Sequence, residues 1–129
     1  MKSKFISAEK LKLYNTYSRS DVGYGRTQTA LMQINQHEKI GFFNIGEKYD
    51  NGLKKNEFIL NPRDDLNNEQ LLDELNNCTT YLFLRKGIIG PYFYMGTSNY
   101  VKRHNSKHVF FKLNNAPVPE EIMDKLNKQ

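Results

Sequence analysis

The sequence predicts an α+β domain built on a mostly antiparallel, strongly curved sheet or open barrel, with two or three helices on one side. Three observations carry this expectation. The last third contains short runs rich in aromatic and branched residues, "TTYLFLRK", "PYFYMG", "SNYVKR" and "KHVFFKL", which suit strands. Two other segments, "NNEQLLDELNN" and "PVPEEIMDKLNK", carry helical apolar spacing or helix-start signals. Aromatic residues make up 12% of the chain, too many for a disordered polymer and enough for a core. With no repeats, low-complexity tract or linker, the 129 residues read as one domain spanning 1–129.

Taken in order, a helix is expected after Ser7, a good N-cap, through "AEKLKLYNTY", with Leu11, Leu13 and Tyr14 available to a core. "SRSDVGYGRTQ" reads as a loop, because Gly23 and Gly25 break both regular periods. "TALMQI" fits either a short helix or a strand. "KIGFFNIGE" reads as a strand, and "YDNGLKKNEFIL" as a turn at Asn51-Gly52 leading into another. In "NNEQLLDELNN" Leu71, Leu72 and Leu75 form the apolar stripe, with Glu69, Asp73 and Glu74 outside.

Four strands are expected after that helix. "TTYLFLRK" places Leu82 and Leu84 on one face and Tyr81, Phe83 and Arg85 on the other. In "KHVFFKL" Val109, Phe111 and Leu113 share a core face, leaving His108, Phe110 and Lys112 opposite. An aromatic between two cationic groups suits a base and its phosphates, since stacking tolerates any base. Coverage of Phe110 by the C-terminal helix is the structural alternative. That helix begins near Pro119, with Glu120 and Glu121 in its first turn and Lys125 and Lys128 towards its end.

The formal charge is +5, and its placement matters more than its size. From Thr79 to Pro119 the bases are Arg85, Lys86, Lys102, Arg103, Lys107 and Lys112, with no Asp or Glu. The positive excess therefore lies in the strand-rich last third, where it would attract a polyanion or simply keep a face solvated. A lone cysteine, Cys78, excludes an internal disulfide and a thiolate-rich metal site, and makes a reducing cytoplasm the expected compartment. "MKSKFISAEKLKLY" has no apolar core of a signal peptide, and no apolar run approaches membrane-spanning length.

Catalytic patterns are missing. There is no G-x-S-x-G and no P-loop, and "VGYGRTQ" holds only the first half of a dinucleotide fingerprint. His104 and His108 stand four apart, but strands would hold them too far apart to chelate, and no carboxylate or thiol is near in sequence. Asp64 and Asp65 precede a helix, where acids favour the dipole. The expectation is a chain without enzymatic activity, metal or cofactor.

"TYLFLRKGIIGPYFYMGTSNYV" followed by "VFFKLNNAPVPEEIMDKL" resembles a C-terminal domain of unknown function found on bacterial DEAD/DEAH helicase-like proteins, including methylation-dependent restriction enzymes. The shared parts are the strand Leu82 to Arg85, Pro91 to Gly96, Tyr100-Val101, Phe110 to Leu113, and Pro117 with Pro119. "YNTYSRSDV", through Tyr17, Arg19 and Asp21, is similar to the start of that domain. A Trp-containing segment usual in the family is missing, as are helicase and nuclease parts, so the resemblance implies a stand-alone module or a fragment.

The resemblance implies a PUA- or SRA-like barrel that reads modified DNA bases in a restriction or defence setting, flipping the nucleotide into a pocket. On that basis Tyr92, Tyr94 or Phe110 is expected to stack on a base. Arg85, Lys102, Arg103 and Lys107, with Lys112, would hold phosphates, while Arg19 and Asp21 would read the base edge. Core packing is the alternative for each aromatic, and a local ion pair or turn bond for Arg19 and Asp21. The expected partner is double-stranded DNA, together with a helicase or nuclease protein and without a membrane. A phage-type inhibitor docking on a nuclease, and a pocket for a small nucleotide signal, remain the other readings.

Overall fold

The computed structural model describes residues 8–25, 30–46, 51–61, 69–104 and 108–127. Its strands are β1 (Thr16–Tyr17), β2 (Leu31–Asn35), β3 (Glu38–Ile45), β4 (Gly52–Leu53), β5 (Glu57–Leu60), β6 (Thr79–Lys86), β7 (Tyr92–His104) and β8 (Val109–Leu113). The helices are α1 (Glu69–Asn76) and α2 (Glu120–Asn127). All strands join one sheet in the order β2-β3-β6-β7-β8-β5-β4, with β1 added beside β7. Among the described strands only β3 and β6 run parallel, because β4, β5 and α1 intervene between them and supply the crossover such a pair needs. The path is open, with β2 and β4 as its ends.

Alternation along the strands sorts the apolar residues onto two faces. Leu82 and Leu84 of β6 join Phe43, Phe58, Met95, Phe111 and Leu113 in one cluster. Leu75 of α1 and Ile122 and Leu126 of α2 close that cluster, so both helices lie on this face. On the other face Ile40, Phe42, Tyr81, Phe83, Tyr92 and Tyr94 form a second cluster, covered by Leu11, Val22 and Tyr24 of the N-terminal segment. Coverage on both faces explains why β6 is apolar almost continuously. No helix among the described residues is long and apolar enough to cross a membrane.

Three local expectations are corrected. The helix expected after Ser7 is a single 3-10 turn, Ala8–Lys10. Tyr14 takes φ +66°, and the backbone then bonds to β7: Tyr14 N–H donates to the Tyr94 carbonyl (2.8 Å) and Tyr94 N–H to the Asn15 carbonyl (2.9 Å). Sheet pairing here overrides helical propensity. The reversal expected at Asn51-Gly52 lies instead at Lys54–Asn56. Gly52 starts β4, and Lys54 N–H donates to the Glu57 carbonyl at 2.8 Å. Asn51 bridges segments, donating to the Asn44 carbonyl and accepting from Asn61 N–H.

"PYFYMG" and "SNYVKR" are one strand, the 13-residue β7. Gly96, at φ +82°, does not end it. Tyr81 pairs with Thr97 and Phe83 with Tyr94, so Met95 and Gly96 together oppose Leu82 in a bulge. Within "TALMQI", the residues from Leu31 onward form strand β2. Asp64, Asp65 and Lys107 lie outside the described residues.

Candidate nucleic-acid interface

Of the side chains proposed from sequence, Arg19, Arg85, Tyr92 and Tyr94 gather in one place on the sheet face away from the helices, and Phe110 and Lys112 in a second. The first is an arginine–aromatic tier. Parallel pairing sets Arg85 beside Asn44, and its Nε donates to Asn44 Oδ1 at 2.7 Å. Nη1 donates to the Gly90 carbonyl at 3.0 Å, and the guanidinium lies 4.4 Å from the centre of the Tyr92 ring. Arg19, just before the 3-10 helix Ser20–Val22, puts its guanidinium 4.7 Å from the Phe42 ring and 5.9 Å from that of Tyr92. These are cation–π distances. Tyr92 is only 4% exposed as a result, and Tyr94 is buried against Phe83 at 5.1 Å. A base could stack on Tyr92 only after Arg85 or Arg19 withdrew.

Asp21 serves its own turn. Ser18 N–H donates to Asp21 Oδ2 at 2.8 Å, and Asp21 N–H donates to Ser18 Oγ at 3.1 Å. This reciprocal pair is the turn bond that sequence reasoning weighed against base reading.

Two phenols in the same cluster are strongly shifted. Tyr81 is pushed up to about 12 by burial, then by its hydrogen bond to Glu38 and that carboxylate's charge. Tyr94 is pushed up to about 12 by burial and by nearby Tyr17. Both folded values exceed the ordinary 10, so their contribution to stability is fully present below pH 10 and is lost as pH rises through about 12. Tyrosinate absorbance of the folded protein should therefore show these two groups ionising only as pH approaches about 12, above an ordinary tyrosine. Tyr81→Phe with Tyr94→Phe should flatten the fall in Tm between pH 10 and 12; an unchanged fall would refute this.

The second place is an open groove of about 520 Å³ lined by Lys54, Lys55, Asn56, Glu57, Val101 and Lys112. Its lysines come from separate parts of the chain. Lys54 and Lys55 sit in the β4–β5 turn, and Lys112 sits on β8 directly opposite Glu57. Backbone bonds fix the turn: Leu113 N–H donates to the Asn56 carbonyl (3.0 Å) and Val118 N–H to that of Lys55 (2.9 Å). Lys55 lies 3.8 Å from Glu120, but both are well exposed, so this pair is weak and easily exchanged.

Beside the groove, β5, β8 and the second half of β7 present Ile59, Phe110 and Val101, all half-buried. The N-terminal segment does not reach this half: among the described residues its cluster contains none from β5 or β8. Phe110 lies between His108 and Lys112 on this face, opposite the one on which Phe111 and α2 join the same core cluster. Coverage of Phe110 by α2 is thus not what the alternation provides. Lys102 and Arg103 belong to β7, which runs past the groove. Sequence reasoning missed Lys54 and Lys55. The adjacent lysines of "LKKNE" between two strand-like runs were the available signal, but only the β5–β8 register brings them to Lys112.

A further cleft lies at the other end of the sheet, on the helix face. There the buried Lys39 ammonium donates to Gln33 Oε1 (2.6 Å) and Glu74 Oε2 (3.2 Å). Gln33 Nε2 also approaches Cys78 Sγ at 3.6 Å. Each group has a partner, so the assembly ties β2, β3 and α1 together. No protein-family model matches the chain, and no curated protein does either.

Proposed function

We propose that the chain is a non-catalytic nucleic-acid-binding module that holds double-stranded DNA along the Lys54, Lys55 and Lys112 groove. The observation that carries this reading is the convergence of those three lysines, from a rigid turn and a neighbouring strand, on one open groove. Phosphates need fixed cations and an accessible surface, and the half-buried Val101, Ile59 and Phe110 provide apolar area beside them. Arg85 and Arg19 are already engaged with Tyr92, Asn44 and Gly90, which makes them the weaker candidates for phosphate contacts.

Recognition of a modified base by a PUA- or SRA-like barrel, in restriction or defence, is the finer form of this reading. In that form the base replaces the Arg85 or Arg19 guanidinium on Tyr92. Duplexes carrying cytosine, 5-methylcytosine or 5-hydroxymethylcytosine distinguish the two forms: the finer one requires tighter binding to a modified duplex that persists as salt rises.

The groove itself is tested by replacing all three lysines with glutamine. Binding of a short duplex at near-physiological salt should weaken at least about tenfold, and the salt slope should flatten by about 2–3. Unchanged affinity and slope would remove the groove from the proposal.

A further inference from the structure

The β6–β7 hairpin carries the most exposed large hydrophobic residues among those described, Ile88 at 51% and Ile89 at 85%. Gly87 (φ +70°) and Gly90 (φ +96°) bracket them, and Pro91 follows. The loop is tied at both shoulders. Gly87 N–H donates to the Ile45 carbonyl at 2.9 Å, and Arg85 Nη1 donates to the Gly90 carbonyl at 3.0 Å. Arg85 is itself held by Asn44 and Tyr92. Two branched apolar side chains are thus displayed on a braced tip, next to the exposed Lys86.

We propose that Ile88 and Ile89 form a wedge that enters a base step of duplex DNA and partly unstacks it. This rests on the nucleic-acid reading above. Apolar side chains backed by cations suit such a step, because the wedge replaces stacking while the cations hold adjacent phosphates. Rigidity matters, since a floppy tip would lose in ordering what it gained in contact.

Spacing agrees. The tip precedes the first residue of β7, whereas the lysine groove touches Val101 near its other end. At about 3.3 Å per residue the two are on the order of 30 Å apart, about one turn of duplex. A protein partner fits less well, because two side chains supply far less than the roughly 800 Å² per partner of a stable interface. The absence of acids from Thr79 to Pro119 favours an anionic partner.

The test uses the full chain, an Ile88→Ser/Ile89→Ser variant, a matched duplex and the same duplex with one central mismatch. A mismatch lowers the cost of unstacking, so the wild type should bind it about tenfold more tightly. The variant should lose that preference while its binding to the matched duplex changes less than about threefold. Equal melting temperatures establish that the variant folds. A wild type that binds both duplexes alike, or a variant that keeps the preference, overturns the wedge and leaves the lysine groove standing. A wild type that binds neither duplex at low salt overturns the nucleic-acid reading itself. Isoleucine-dependent sedimentation with phosphatidylserine vesicles, without a mismatch preference, assigns the tip to a membrane surface and overturns the wedge.

Discussion

Phe83→Ala is expected to destabilise the fold by about 3–5 kcal/mol, the usual cost of emptying a large aromatic site. Phe83 is wholly buried at the centre of the cluster on the N-terminal face. Its ring stacks on Phe42 at 4.9 Å and 24°, tilts against Tyr94 at 5.1 Å and meets Tyr17 edge-on at 6.3 Å. Three strands and the N-terminal segment converge on it, so no single shift can close the void. Urea unfolding should show a lower midpoint with an unchanged slope, and Phe83→Leu should recover more than half of the loss. A cost below about 1.5 kcal/mol for the alanine variant would mean that the cluster collapses around the gap, contrary to this description.

Gly96→Ala is the second large expected effect, at about 2–4 kcal/mol from left-handed backbone strain plus a steric clash. The residue sits at φ +82° in the β7 bulge. A Cβ there would lie 2.8 Å from Asn115 Cγ and 3.1 Å from Leu13 Cδ1. These two contributions separate experimentally. Asn115→Ala added to Gly96→Ala removes the nearest obstacle and leaves the strain, so the double variant should be more stable than Gly96→Ala alone. A double variant no more stable than that single variant would show that backbone strain alone accounts for the loss.

Much of the framework was legible in the sequence because local pattern and tertiary placement agree. Leu82 and Leu84 against Tyr81 and Phe83, and Val109, Phe111 and Leu113 against Phe110, alternate as their faces require. Leu72 and Leu75 mark the buried side of α1. Failures occurred where a distant partner decided the outcome. "AEKLKLY" is helix-forming by composition, yet Tyr14 and Asn15 bond to Tyr94 across the sheet. Gly96 looked like a strand end, but a bulge opposite Leu82 carries the strand through it.

The candidate site was harder to read for the same reason. Tyr92 and Tyr94 have the composition of stacking residues, but nothing local announces that Arg85, Arg19 and Phe83 occupy their ring faces. Lys54 and Lys55 lie outside the acid-free segment, and only the β5–β8 pairing joins them to Lys112. A one-dimensional charge count therefore marks Lys112 but not the two lysines that the groove sets beside it.

The most direct test maps backbone amide shifts in the labelled protein as a short duplex is added at low salt. The groove reading predicts that the largest shifts cluster at Lys54, Lys55, Asn56, Val101 and Lys112. Shifts confined to the Gln33, Lys39 and Cys78 cleft, or none at saturating duplex, would contradict it.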